Sequence, residues 1–309
     1  MILAVNLNAA VDKTYVISDF RLGHANRIDA VRALAGGKGN NVARAAIGLG
    51  RRVLVTGFAG GNNGRFIIER LASDGIPADY QPIGQESRIC IAIPGASGGH
   101  STELLEPGPV ISQAEAAAFK QKFRGLVGQA KVVTFSGSLP RGLESSYYAD
   151  LISIARDAGC RTILDTSGEP LRLGIEAHPD VIKPNREELE RLLGMPLIDH
   201  RGVARAIRKI APEVGLVLAS MGEEGAVAGT AEAAWLANVP PVKAVNAVGS
   251  GDAMVAAMAA ALEANLSTES ALALAVAAGA ANTLTLGAGQ LRTADVEQLK
   301  ALAVVERIV

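Results

Sequence analysis

Between Asn246 and Asp252 the chain reads Asn-Ala-Val-Gly-Ser-Gly-Asp, and an alanine-rich run, Ala253 to Leu262, follows directly. Glycines 249 and 251 permit a tight turn that residues bearing a Cβ resist. The run behind them reads as a buried helix. A Gly-rich turn that opens onto a helix leaves the N–H groups around Gly249, Ser250 and Gly251 without intrahelical partners. With the helix dipole, they form a cradle for an anion, typically a phosphate. Asp252 stands at the mouth of that cradle. Two roles are open to its carboxylate. It can cap the helix, or it can take a proton from a hydroxyl that attacks a phosphoryl group held by the same N–H groups.

Two further stretches repeat parts of this chemistry. Gly36-Gly-Lys-Gly39 precedes a helical pattern and adds a cation to a glycine turn, although it lacks the spacing of a Walker A loop. Asn185-Arg-Glu-Glu188 sets an amide and a carboxylate three residues apart at a helix start. That spacing suits a capping box. It equally suits an oxygen donor for a water-rich Mg²⁺, which phosphoryl transfer needs.

The elements that must position these residues alternate between strand and helix. Strands are expected at Ile2–Leu7, Val53–Ala59, Val132–Ser136, Thr162–Asp165, Asp180–Lys183 and Leu216–Ser220, with a weaker pair at Ala226–Gly229 and Ala234–Leu236. Helices are expected at Asn40–Leu49, Asn63–Ser73, Gln113–Leu126, Ser145–Ala158, Arg186–Leu193, Val203–Ile210, Asp252–Ala264, Ser270–Leu284 and Thr293–Leu302. Such alternation marks an α/β protein with a doubly wound, mostly parallel sheet flanked by helices. It breaks twice. Thr14–Phe20 and Arg27–Leu34 read as exposed strands, and Arg88–Pro94 and Thr102–Glu106 as an antiparallel hairpin about the turn Gly95–Gly99. We expect one domain over residues 1–309, with a small lid sheet inserted at about 12–35 and 87–107. Ligands of open parallel sheets bind beyond the carboxyl ends of the strands. Asn8 and Asp12, Ser136-Gly-Ser-Leu-Pro140, Asp165-Thr-Ser-Gly168, Lys183-Pro-Asn185 and Ser220-Met-Gly222 all fall there, so this rim is the expected site.

Composition narrows the partners. Lys and Arg number 30 against 31 Asp and Glu, a net charge of −1, which gives no electrostatic case for nucleic acid or an anionic membrane. Cys90 and Cys160 form no CxxC and read as buried, reduced thiols of a cytoplasmic protein. The four histidines show no metal-ligand spacing.

In this order, Gly36-Gly-Lys-Gly39 with Asn41-Val-Ala-Arg44, Ser136-Gly-Ser-Leu-Pro140, Lys183-Pro-Asn-Arg-Glu-Glu188, Ser220-Met-Gly-Glu-Glu-Gly225 and Val248-Gly-Ser-Gly-Asp252 resemble the motifs of the ribokinase-like (PfkB) carbohydrate kinases over essentially the whole chain. The branch it resembles holds the phosphofructokinases, 1-phosphofructokinases and tagatose-6-phosphate kinases. The resemblance implies Asp252 as catalytic base, with the N–H groups of Gly249, Ser250, Gly251 and Asp252 stabilising the transferring phosphoryl. It implies that Asp12, Gly37 and Asn41 orient sugar hydroxyls, and that Lys38 contacts substrate and phosphate. Arg27, Arg88 and Ser136 would hold a phosphate already on the sugar, a task suited to the planar arginine fork. Lys183, Asn185, Ser220, Gly222 and Gly225 fall on the nucleotide side, Asn282 near the adenine edge, and Glu188 on the Mg²⁺ that accompanies ATP. The chain departs from the pattern at Ala9, at Asn246-Ala247 and at Asn40, where a change of substrate preference is expected.

The implied reaction is ATP-dependent phosphorylation of a phosphorylated ketohexose, read first as fructose 1-phosphate to fructose 1,6-bisphosphate. Tagatose 6-phosphate or fructose 6-phosphate, phosphorylated at O1, is the alternative. A homodimer paired through the lid sheet is expected. A reading from another class is a non-catalytic sensor of sugar phosphate or nucleotide.

Overall fold

Alternate residues of the first strand, β1 (Ile2–Asn6), enter different cores: Ile2 and Ala4 one, Leu3 and Val5 the other. A strand apolar on both faces belongs inside a sheet with helices on each side. The computed structural model describes residues 1–94 and 101–309, and it has that arrangement. The main sheet contains β1, β4 (Val53–Gly60), β5 (Gln81–Ile83), β8 (Val132–Ser136), β9 (Arg161–Asp165), β10 (Val181–Ile182), β11 (Leu216–Ser220), β12 (Ala226–Gly229), β13 (Ala234–Ala237) and β14 (Val305–Arg307). Their order is β14-β13-β12-β11-β10-β9-β8-β1-β4-β5. From β11 to β5 all neighbours are parallel, and β12 to β14 close the other edge antiparallel.

Helices α1 (Lys38–Gly48), α2 (Gly61–Ser73), α8 (Ser250–Glu263), α9 (Thr268–Thr283) and α10 (Thr293–Leu302) pack on one face. The other face carries α3 (Gln113–Val127), α4 (Tyr147–Asp157), α5 (Glu169–Ile175), α6 (Arg186–Leu193) and α7 (His200–Ile210). The two cores differ in character. Phe58, Phe119, Phe123, Phe135 and Tyr148 run in one contiguous aromatic string beneath α3 and α4, with neighbouring centroids 4.8 to 6.1 Å apart. Opposite, alanines dominate α8 and α9 and let the two helices and the sheet approach closely, so that residues 252 to 261 of α8 are buried. That burial fixes the N-terminus of α8 at the sheet rim.

A second sheet, β3-β2-β6-β7, stands apart; its strands are β2 (Ala10–Val16), β3 (Ala30–Gly36), β6 (Arg88–Ile93) and β7 (Thr102–Leu105). Strands β6 and β7 pair antiparallel, while the turn expected at Gly95–Gly99 lies outside the described residues. Strands β2 and β3 sit earlier and later, respectively, than their periodicity suggests. Asp29 accepts from the N–H and hydroxyl of Ser18 at 2.8 and 2.6 Å, and this local bonding draws the backbone out of the ladder beyond Val16. Strands β5 and β14 and helix α5 escape sequence reading because they are short and two carry proline. Cys160 is buried, but Cys90 on β6 is only half-buried, as are its neighbours from Arg88 to Ala92. No helix is long and apolar enough to cross a membrane among the described residues.

Candidate active site

Helix α8 starts at Gly249, whose φ of 86° is left-handed, and no side chain caps it. The N–H groups of Gly251 and Asp252 have no backbone acceptor among the described residues, which leaves them free for an anion. Asp252, in the first turn, is 6 % exposed. Its Oδ2 accepts from Asn41 Nδ2 on α1 at 2.8 Å, so the capping role weighed from sequence is not the one adopted. Burial pushes its carboxyl up to about 6, and Asp165 adds to this. Lys38, the Asn41 bond and Lys183 oppose the rise. A carboxylate tuned to that value is ionised at neutral pH yet retains real basicity, the condition a general base needs.

Asp165 ends β9 and lies between two ammonium groups. Lys183 Nζ is 3.2 Å from its Oδ1, and Lys38 Nζ is 3.3 Å from its Oδ2. Burial disfavours the charge of Asp165, but the two lysines outweigh it and hold the carboxyl below its usual range. Lys38 is likewise penalised by burial, and Asp165, Asp252 and Glu188 together hold it above the usual lysine range. Lys38 therefore stays charged, and both lysine side chains reach toward the cradle. A Cβ on Gly251 would lie 3.4 Å from Lys183 Nζ, and one on Gly137 would lie 3.6 Å from Lys38 Cβ. Five segments distant in sequence, around Lys38 and Asn41, Gly137, Asp165, Lys183 and Gly249 to Asp252, thus converge on one corner of the rim.

On the small-sheet side, Asp12 lies directly against Gly36, where a Cβ would occupy the place of its carboxylate, and it accepts from the Gly37 N–H. Burial pushes Asp12 up to about 6 as well, against the pull of Gly37, Arg88 and Arg44. Arg88 donates from Nε to the Asn8 carbonyl at 3.2 Å and from one terminal nitrogen to the Glu106 carbonyl at 3.1 Å, which orients its fork beside Asp12. The hydroxyl of Ser136 and Asn8 Oδ1 are buried and have no hydrogen-bond partner among the described residues, while Asn8 Nδ2 donates to Ser138 Oγ at 3.1 Å. Buried polar atoms without partners are costly and are expected where a ligand completes them.

Beyond β10 and β11 the Lys183-Pro-Asn185 and Ser220–Gly225 stretches lie side by side: Asn185 and Ser220 form a bridge, and Ser220 N donates to the Pro184 carbonyl at 3.1 Å. Arg186 grips Glu224 through both terminal nitrogens at 2.9 and 2.6 Å. Gly225, at φ 96°, backs onto the Ala237 carbonyl, and Gly222, at φ 60°, faces open space. Asn185 and Glu188 do form the capping box, with bonds of 2.8 and 2.9 Å, and this commits only one oxygen of Glu188. No group of three or more His, Cys, Asp or Glu suited to a metal exists among the described residues. The donor set therefore fits a hard cation that keeps most of its water and is held by one carboxylate together with substrate phosphates, as Mg²⁺ is.

Three expected residues fall elsewhere. Arg27 is exposed in the loop joining β2 to β3, at the far end of the small sheet from the Ala10/Gly36/Arg88 end, roughly 20 Å along the strands. Asn282 is 0 % exposed and fully used: its Nδ2 donates to Val248 O and Ser250 Oγ at 2.9 and 3.3 Å, and its Oδ1 accepts from Gly289 N at 2.8 Å. It braces the glycine turn and has no group left for an adenine. Asn40 is also 0 % exposed, bonded to Gly36 O at 2.8 Å and to the Tyr80 hydroxyl at 2.6 Å. It supports the Gly36–Gly39 turn, and both ends of its amide are bonded to protein. Asp165, Arg44, Asn6 and Tyr80 take part without having been given roles from sequence. Apart from the bond between Arg44 and Asn41, three residues apart, their side-chain partners lie from 9 to 244 residues away, beyond any local motif.

Comparison with known proteins places this geometry in company. The sequence profile described as "pfkB family carbohydrate kinase" matches residues 5–294. A tagatose-6-phosphate kinase of Staphylococcus epidermidis is 37 % identical over 311 aligned positions, covering 99 % of this chain and 100 % of that protein. The structure of phosphofructokinase-2 from Escherichia coli in complex with potassium superposes with a TM-score of 0.92 at 28 % identity, covering 97 % of this chain and 98 % of that one. The same enzyme in complex with fructose-6-phosphate gives 0.90 at the same identity and coverage.

Proposed function

This chain belongs to the pfkB family of carbohydrate kinases and is a phosphotransferase, and from that premise we propose that it moves the terminal phosphoryl group of ATP onto a hydroxyl of a ketohexose monophosphate. The observation that carries the reading is a buried carboxylate, Asp252, in the first turn of a helix whose N–H groups are open, beside two ammonium groups fixed by Asp165. As the sugar oxygen attacks phosphorus, its proton passes to Asp252, the bond to the leaving oxygen of ADP breaks, and the N–H groups of Gly251 and Asp252 with Lys38 oppose the charge on the transferring group. Asp12, Gly37 and Asn41 orient the sugar, and Arg88 and Ser136 hold its existing phosphate. Lys183, Asn185, Ser220, Gly222 and Gly225 border the nucleotide. Glu188 would hold, through water, the Mg²⁺ that neutralises the phosphate oxygens when bound.

Residues 1–309 form one domain in this reading, and the small sheet closes over the sugar as a lid. The exposed apolar residues Val16, Val31, Leu104 and Leu105 on that sheet support its pairing with a second copy. From its outer position, Arg27 meets a sugar phosphate only if the sheet swings over the cleft or a second copy supplies it.

Tagatose 6-phosphate, phosphorylated at O1, is the substrate we put first, supported by the full-length likeness to a tagatose-6-phosphate kinase. Fructose 1-phosphate, phosphorylated at O6, is second, because a ketofuranose is nearly symmetric end to end and one cationic grip serves either phosphate. ADP release measured across tagatose 6-phosphate, fructose 6-phosphate, fructose 1-phosphate and the two free sugars decides among them. At least one phosphorylated sugar should exceed its free counterpart by roughly 100-fold in kcat/KM, as two charge-assisted bonds allow. Turnover confined to an uncharged sugar removes the phosphate grip and with it this reading. Arg88→Met should raise KM for the sugar phosphate roughly tenfold to a hundredfold and leave KM for ATP in place.

A further inference from the structure

Arg44, on α1 one turn beyond Asn41, is a charged side chain only 8 % exposed, and nothing in the reaction as described uses it. Its terminal nitrogens donate to Asn41 Oδ1 at 3.0 Å, to Ala288 O at 2.8 Å and to Ala35 O at 2.9 Å. Its Nε has no hydrogen-bond partner, and Asp74 Oδ2 lies 3.9 Å away. The three acceptors belong to three parts of the site. Ala35 precedes the Gly36-Gly37 turn on β3, and Asn41 contacts Asp252. Ala288 is in the segment against which Gly249 packs.

The chemistry at Asn41 is directional. A guanidinium has only donors, and an ionised carboxylate only acceptors. An amide placed between them has one acceptable orientation, with Oδ1 toward Arg44 and Nδ2 toward Asp252. We propose that Arg44 is a positioning residue that sets the orientation of the Asn41 amide, and through it the hydrogen bond received by Asp252, while tying strand β3 and the 286–290 segment to the same point. The proposal rests on Asp252 being the base of the kinase reaction. Without Arg44, the amide is free to turn its oxygen toward Asp252, and an acceptor then faces a carboxylate.

The charged groups acting on Asp252 are Asp165 from β9, Lys183 after β10, and Lys38 and Arg44 on α1. Those acting on Arg44 are Asp74 and Arg70 on α2, Asp12 on β2, and Asp252 itself. A lost or inverted Asn41 bond makes Asp252 harder to ionise, so its midpoint must rise.

The test combines ¹³C NMR titration of the Asp252 carboxyl in the free protein with kcat and the pH profile of kcat/KM on the best ketohexose phosphate. Arg44→Met should raise the midpoint and the acid limb by about one pH unit and lower kcat roughly tenfold to a hundredfold. In an Asn41→Ala background the same substitution should move the midpoint by less than a third as much. Arg44→Lys keeps the charge but replaces the rigid planar fork, which reaches Asn41 Oδ1 and Ala35 O from two separate nitrogens, with a single ammonium on a flexible stem. It should lose roughly tenfold in kcat, and that loss should vanish in the Asn41→Ala background. If Arg44→Met does not fold, the lysine cycle decides alone. An unmoved midpoint, a shift of full size without Asn41, or an Arg44→Lys enzyme as fast as the parent overturns the proposal. Failure of the kinase reading shows separately, as a parent protein without turnover, and leaves the titration interpretable.

Discussion

Asp252→Asn should lower kcat by roughly 10³-fold, the range of a lost general base, while sugar phosphate and ATP still bind within a few-fold of parental affinity. The same change should stabilise the protein at neutral pH. In the folded state the carboxyl sits at about 6, against 3.8 for an ordinary aspartate, because burial and Asp165 disfavour its charge. Below about pH 4 both folded and unfolded chains hold the proton, and this group's contribution is fully present. As pH rises through 6 the folded protein must ionise a buried group, and that contribution is lost. Asparagine keeps an acceptor for Asn41 and carries no charge, so the free energy of unfolding at pH 7.5 should rise, by at most about 3 kcal/mol. Activity and stability therefore move in opposite directions at this position. Asp12 titrates in the same window from its own burial. Asp12→Asn separates the two: KM should rise and the acid limb near pH 6 should stay. A parental turnover rate in the Asp252→Asn enzyme removes Asp252 from the chemistry.

The sequence exposes some parts of this site and hides others, for reasons that can be located. The Val248–Asp252 turn, the Gly36–Gly39 turn and the Asn185/Glu188 pair are legible because each is local. Their glycines, caps and following helices lie within a few residues of one another. The strands Val132–Ser136 and Leu216–Ser220 are legible because burial on both faces leaves a mainly apolar run. Asp165 reads only as one more polar residue after a strand. What makes it central is its place between Lys38 and Lys183, and the parallel order β9-β10 brings those groups together across the sheet. Asn282 and Asn40 fail in the opposite way. An asparagine near a glycine turn looks available for a ligand, and only coordinates show every polar atom already bonded inward. The family resemblance groups Arg27 with Arg88. The strand register sets the two at opposite ends of the small sheet.

Gly249→Ala should damage turnover and stability together. The added Cβ faces two separate obstacles. Gly249 has φ 86°, a conformation that costs an L-residue about 1 to 2 kcal/mol. The Cβ would also lie 2.7 Å from Gly289 N and 2.9 Å from Ala288 Cα, which are backbone atoms and cannot rotate aside. Nor can that segment retreat. Gly289, itself at φ 72°, packs on the Asn41 carbonyl, Arg44 holds Ala288 O, and Asn282 holds Gly289 N. The strain must therefore pass to the N-terminus of α8, where the Gly251 and Asp252 N–H groups lose their alignment. We expect kcat/KM for ATP to fall roughly 10²- to 10³-fold, the scale of a lost oxyanion donor. Stability should drop by about 3 kcal/mol. Gly194→Ala supplies the control. That glycine ends α6 at φ 67° with nothing within 4 Å of a new Cβ, so it carries the backbone penalty without the collision. It should cost about 1 kcal/mol and leave turnover at the parental rate. Equal losses of stability in the two variants would mean that left-handed backbone alone explains Gly249. A larger loss at Gly249, joined to the loss of ATP turnover, would place the constraint in the packing of the 286–290 segment against the phosphate cradle.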